Sequence, residues 1–175
     1  GGEHLQDDRL ELVEVAGRGD PLCGPGRALD LGSSLLLSNN IAREGPGAGK
    51  PELEFKDVFP GSYYTINLRI AAVSNYTAPA ANWNGFEGPF AHIGARSGTF
   101  VDLLCGFFEA GSGSAVIVEP FYLSLFGLEQ QAITVSDFES YQISHGSEVK
   151  VTNLGTLERN AAVFTGGGRA APRPV

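Results

Sequence analysis

The chain has 175 residues, a formal net charge of -8 at pH 7, 24 Gly, 10 Pro and no Met. That length suits one domain, which buries roughly 70% of its unfolded surface and needs no metal or disulfide merely to fold. The acidic balance argues against nucleic acid, whose binding needs clustered Lys and Arg, and against an anionic membrane surface. No run approaches the roughly 18 apolar residues of a membrane span.

Eleven Phe and five Tyr beside a single Trp suit a core built of sheets. A primary translation product begins with Met. This chain is therefore expected to be a processed mature form or a fragment, with its targeting segment removed.

Residues 1–9 (GGEHLQDDR) are polar and are expected to fray. Leu10, Leu12, Val13 and Val15 suggest a short strand. Ala16–Arg27 is a loop by composition, and it contains Arg18-Gly19-Asp20, a tripeptide that some integrin ligands use and that chance also produces. Leu29–Leu37 reads as a second strand, ended by Ser38-Asn39-Asn40. In the loop Ala42–Pro51, the run Gly47-Ala48-Gly49-Lys50 resembles a phosphate loop at a glance. That motif needs Gly five residues before the Gly-Lys pair and Ser or Thr after the Lys. Here Glu44 and Pro51 stand at those places, so the motif is rejected.

Leu53–Phe55 is a short strand candidate, and Phe59-Pro60-Gly61 makes a turn. Tyr63–Ser74 alternates, with Tyr64, Ile66, Leu68 and Ile70 on one face and Thr65, Asn67 and Arg69 on the other. A period of two over that length predicts a half-buried strand. The longest irregular stretch follows, Asn75–Gly98. It opens on Asn75-Tyr76-Thr77, an N-glycosylation acceptor pattern. Two readings of this stretch stand. In one, favoured, its aromatics fold inward and cap the open end of a sandwich. In the other, Tyr76, Asn82, Trp83, Asn84, Phe86, Phe90 and His92 form an interaction surface.

The clearest hairpin is Gly98–Phe126. The apolar runs Phe100–Phe108 and Val116–Phe126 flank a Gly-Ser turn, Ala110–Ala115, which supplies the positive φ of a tight reversal. Beyond it, Ile133–Asp137, Tyr141–Ile143, Val149–Leu154 and Asn160–Phe164 are four short strand-like runs with turn residues between them. The tail, Thr165–Val175, is flexible by composition. No segment keeps a 3.6 period with caps. The predicted fold is all-β: a single-domain antiparallel sandwich, jelly-roll-like and low in helix, over residues 10–164.

Chemistry is sparse. His4, His92 and His145 lie far apart with no ligand partner at helical or strand spacing, so no zinc site is expected. Gly111-Ser112-Gly113-Ser114 sits in a hairpin turn rather than at a nucleophile elbow. Glu109 and Glu119 flank that turn as rim charges. No cofactor is expected. Calcium is the one ion the loop carboxylates admit, although no Asp-x-Asp-x-Asp-Gly loop is present. Cys23 and Cys105 would close a long loop if they paired in an oxidising compartment; as free thiols, one would be buried and one incidental.

An ordered set of motifs adds to this reading: INLRIAAVSNYTAPAANWNG, GPFAHIG, SGTFVDLLCGFFEAGSGSAVIVEPFYLSLFGLEQ, ITVSDFESYQIS with EVKVT, and FTGGGR. The set covers more than half the chain. It resembles the signal-peptide-bearing β-sandwich proteins of uncharacterised function that are numerous in dinoflagellates, diatoms and oomycetes. The resemblance implies an extracytosolic domain, at the cell surface or in an organelle lumen such as that of a plastid. It does not imply an enzyme, because the activity of that family is not established. Relatives usually carry an acidic Asp-Leu-Asp turn where this chain has Gly127-Leu128-Glu129, so one carboxylate of any calcium role is lost.

The leading expectation is a non-catalytic structural or interaction module that docks onto other protein subunits. A lumenal extrinsic subunit of an algal photosynthetic complex is one form of it. The alternative is a carbohydrate-binding module, with Tyr76 and Trp83 stacking on sugar and Asn82 and Asn84 as polar partners. A hydrolase with a dispersed site is the last reading.

Overall fold

The computed structural model describes residues 9–13, 27–29, 31–60, 62–80, 82–87, 90–96, 98–119, 121–126, 132–138, 140–141, 143, 148–156 and 160–166. The chain divides into two compact units, Gly1–Phe126 and Gly127–Val175, where the sequence pattern suggested one domain over 10–164. The boundary falls at a stretch that reads locally as just another turn.

The first unit holds β1 (Arg9–Val13), β2 (Arg27–Ala28), β3 (Leu35–Asn39), β4 (Glu52–Lys56), β5 (Ile66–Ala72), β6 (Gly85–Glu87), β7 (Phe90–Gly94), β8 (Leu103–Glu109), β9 (Phe121–Tyr122) and β10 (Ser124–Phe126). The second holds β11 (Ala132–Ser136), β12 (Lys150–Asn153) and β13 (Ala161–Thr165). No α-helix occurs among the described residues; Ile41–Arg43 makes one 3-10 turn. The all-β, antiparallel expectation is met.

In the first unit, β3-β4-β5-β8 form one four-stranded sheet and β10-β1-β7-β6 another. The first is a meander of β3, β4 and β5, with β8 added beside β5. Its inner face presents Leu53 and Phe55 of β4 and Ile66, Leu68 and Ile70 of β5, all buried. Ala91 and Ile93 of β7 join the same core from the other sheet. Phe55 meets Phe86 of β6 edge-on, with ring centroids 5.2 Å apart, which ties the two sheets together. Alternation explains why these residues face inward: period two puts one face of each strand on the core.

Strand β5 departs from the half-buried expectation. Tyr64 precedes the strand and is exposed, and on the outer face Asn67 is buried. Asn67 donates to Glu54 Oε1 at 2.9 Å and accepts from the Asp57 amide at 3.4 Å. Arg69 lies 3.1 Å from Glu54 Oε1, off-line for a hydrogen bond, and its guanidinium stacks 4.3 Å above the Phe108 ring. Charges buried on that face are paired there, which lowers their desolvation cost.

The expected strand Leu29–Leu37 is broken. Its first part is a turn, with Leu29 and Leu31 buried and the Ser34 hydroxyl donating to the Leu31 carbonyl; β3 begins only at Leu35. Gly32 and the two serines favour that turn over a continuous strand.

The hairpin at Ala110–Ala115 is present as a turn and not as a paired ribbon. The Gly113 amide donates to the Glu109 carbonyl, and the Glu109 amide to that of Ser114. Gly111 and Gly113 sit at φ 93° and 69°. One bridge, Phe108 with Ala115, follows. Then the second arm leaves. β9 pairs in parallel with β2, and β10 pairs antiparallel with β1. The reason is packing: Phe121 meets Phe107 at 5.1 Å and Phe59 at 5.8 Å, so the arm crosses the core instead of lying flat beside β8.

In the second unit, β13 lies between β11 and β12, all antiparallel. Ile133, Phe164 and Val151 share one row, and Val135, Ala162 and Asn153 form the next row on the same face. Only Ala162 is fully buried among the described residues of this unit. The expected strand at Tyr141–Ile143 is absent at Tyr141 and Ile143. Tyr141 instead packs its ring on Phe164 at 5.3 Å.

Candidate functional site

The stretch between β5 and β8 carries most of the predicted site residues, and it folds largely inward. Tyr76, Asn84 and His92 are buried, which agrees with the favoured inward reading and corrects the interaction-surface reading at these three. Phe86 packs on the core through Phe55, Trp83 and Phe90 are half-buried, and Asn82 is exposed. The physical cause is one polar node that lets a tyrosine sink into the sandwich end without leaving its hydroxyl unpaired.

Asn84 is the centre of that node. Its Oδ1 accepts from the Gly94 amide at 3.1 Å and lies 2.8 Å from the Tyr76 hydroxyl, which also donates to the Gly94 carbonyl. One phenolic proton therefore serves two acceptors. From β3, Asn39 Nδ2 donates to the Asn84 carbonyl at 2.7 Å. Burial pushes the Tyr76 phenol above its usual range, the Asn84 bond opposes this, and the negative charge of Glu44 adds to the rise. Gly94 sits in close quarters: a Cβ on it would lie 3.0 Å from the Trp83 ring and 3.2 Å from the Pro79 ring, so those rings would have to shift to admit one.

The Ala42–Pro51 loop folds on its own backbone. The Gly47 amide donates to the Asn39 carbonyl, and Asn40 Nδ2 to the Gly49 carbonyl. A Cβ on Gly45 would come within 2.2 Å of the Asn39 carbonyl oxygen, so glycine there serves a close backbone approach.

Asn75 and Thr77, the outer residues of the glycosylation pattern, are exposed, with the buried Tyr76 between them. Cys105 is a free thiol on β8. It is exposed, yet the surrounding chain removes enough water to push the thiol above its usual range. Cys23 lies outside the described residues, as do His4, His145, Arg18-Gly19-Asp20, Gly127-Leu128-Glu129 and both chain ends. Glu109 accepts from the Ser112 hydroxyl at 2.7 Å within the turn, and Glu119 is exposed. Among the described residues no group of three or more His, Cys, Asp or Glu is placed to hold a metal ion, and no helix is long and apolar enough to cross a membrane.

Two features escaped the sequence reading. Asn39 reaches Asn84 across 45 residues, which no local pattern signals. In the second unit, Phe138, Tyr141, Asn153 and Asn160 line an open cleft of about 440 Å3. The only sequence cue was an aromatic pair, Phe138 and Tyr141, separated by polar residues.

A scan against protein-family models, a search of curated proteins and a search of solved structures find no match to this chain.

Proposed function

We propose that this chain is a non-catalytic β-sandwich module that docks onto other protein subunits of an extracytosolic or lumenal assembly. The observation that carries this reading is the pair of outer strands of one sheet. On β3, Leu35 and Leu37 are 62% and 52% exposed; on β8, Leu104 is 63% exposed. Outer strands of solitary proteins usually carry charge or proline to discourage further pairing. Strand β3 reads LLLSN and has neither, only a register irregularity between Leu36 and Ser38. Apolar side chains displayed on such strands suit a surface covered by a partner. The extracytosolic compartment rests on the family resemblance and on the glycosylation pattern at Asn75, both outer residues of which are exposed.

The test compares the native chain with Leu35→Lys/Leu37→Lys and with Leu104→Lys. These exposed positions should accept lysine with little loss of stability. The reading expects the native protein to sediment with other subunits when isolated from its source, and at least one variant to fold normally yet lose that association. A native protein that sediments as a monomer overturns it.

The carbohydrate-binding alternative loses its first platform, because the Tyr76 ring is buried and Asn84 is committed to the internal node. It keeps a different candidate surface, the cleft of the second unit.

A further inference from the structure

We infer that the cleft of the second unit is a binding site for a neutral saccharide, with Tyr141 as the ring on which the sugar lies. This rests on the carbohydrate-binding alternative and gives it a site that the sequence did not suggest.

Tyr141 is 45% exposed, yet it is fixed. Its ring meets Phe164 of β13 at 5.3 Å and Phe138 at 5.9 Å, both nearly perpendicular. A ring already held by two neighbours loses little freedom when a ligand covers its open surface. Phe138 is itself positioned, because its carbonyl accepts from Asn160 Nδ2 at 2.8 Å and the adjacent Asp137 amide donates to the Asn160 carbonyl at 2.9 Å. Asp137 holds this corner with a left-handed backbone, φ 61°.

Around the ring stand hydroxyls and amides: Ser140, Asn153, Thr156 and Asn160. Asn153 lies on β12 in the same row as Ala162, the row next to Phe164 on that face. Among the described residues no Lys, Arg, Asp or Glu lines the cleft. An aromatic floor with neutral donors and acceptors around it, as the described lining provides, suits a ligand with one apolar face and many hydroxyls. Pyranose sugars have that chemistry. An open cleft of about 440 Å3 falls within the volume range of small-molecule sites.

The full chain should be applied to an array carrying neutral, sialylated and sulfated glycans, with hits measured by saturation-transfer NMR. The expected result is binding to one class of neutral oligosaccharide. Tyr141→Ala should weaken it about tenfold or more, while Tyr141→Phe stays close to the native affinity. Tyr141→Ala also removes packing on Phe164, so Asn153→Lys gives an independent reading: it alters an exposed position at the rim and should abolish binding with the circular dichroism unchanged. If no neutral glycan binds the folded native chain, both this site and the carbohydrate-binding reading fail. If a glycan binds and neither Tyr141→Ala nor Asn153→Lys weakens it, the site fails and the reading survives elsewhere. Preference for sulfated or sialylated glycans, or for proline-rich peptides, also overturns the site.

Discussion

The two units are built from the same kind of strand but differ in what those strands enclose. In the first, residues from two facing sheets bury Leu53, Phe55, Ile70 and Ile93 almost completely. In the second, a single three-stranded sheet leaves Ile133, Val135, Val151 and Phe164 half-buried, and only Ala162 is sealed among its described residues. A strand needs a second layer before its apolar face leaves water. The first unit has that layer, so its unusual polar residues serve the interior. In the second, aromatic and polar groups stay reachable, and this is where the open cleft at Tyr141 lies.

The contrast breaks most sharply at Phe55. Phe55→Ala should cost about 3–5 kcal/mol in denaturant unfolding, because it removes a fully buried ring and its contact with Phe86. Val151→Ala in the second unit should cost about 1 kcal/mol or less, since that side chain is only half-buried. Equal costs would erase the distinction between the units.

Gly94→Ala should cost about 1–3 kcal/mol, because the new methyl group presses on the Trp83 and Pro79 rings. The fluorescence of the single Trp should shift with it. Tyr76→Phe should cost about 1–2 kcal/mol, since it leaves Asn84 Oδ1 and the Gly94 carbonyl short of a donor.

The same substitution tests the pH dependence. The folded phenol of Tyr76 titrates above its ordinary value of 10.0. Near and above that pH the unfolded chain releases this proton while the folded chain keeps it, so unfolding is favoured as pH rises. Stability tied to Tyr76 is therefore complete below pH 10 and declines above it, and Tyr76→Phe should flatten that decline in thermal melts. The smallest effect belongs to the exposed Asn75. Asn75→Gln should change stability by under about 0.5 kcal/mol, and it should remove any glycan mass from protein secreted by a glycosylating host.

Much of the strand framework was legible in the pattern. Strands β4, β5 and β8 and the Gly-Ser turn lie close to where alternation and turn chemistry put them. So do β11, β12 and β13. What escaped was pairing, together with β6 and β7, two strands inside the stretch Asn75–Gly98 that was expected to be irregular. The hairpin of Phe100–Phe126 has strong local signals on both sides of its turn, yet β8 pairs with β5 and the second arm supplies β9 and β10 to other partners. Tyr141 looked like a strand residue and became a ring packed on Phe164.

The site divides the same way. That Asn75–Gly98 would carry a polar-aromatic cluster was visible from its composition. Its inward direction was the favoured of two readings; the partners that hold it there were not visible. Tyr76 turns inward because Asn84, Gly94 and Asn39 meet there from separate strands and satisfy its hydroxyl and one another. Residue type and spacing alone specified an all-β chain, because turn chemistry and period two act over a few neighbouring residues. The choice of strand partners, the inward Tyr76 node and the open cleft at Tyr141 came only from the tertiary fold. They depend on contacts between residues tens of positions apart, where packing decides among pairings that local pattern leaves equal.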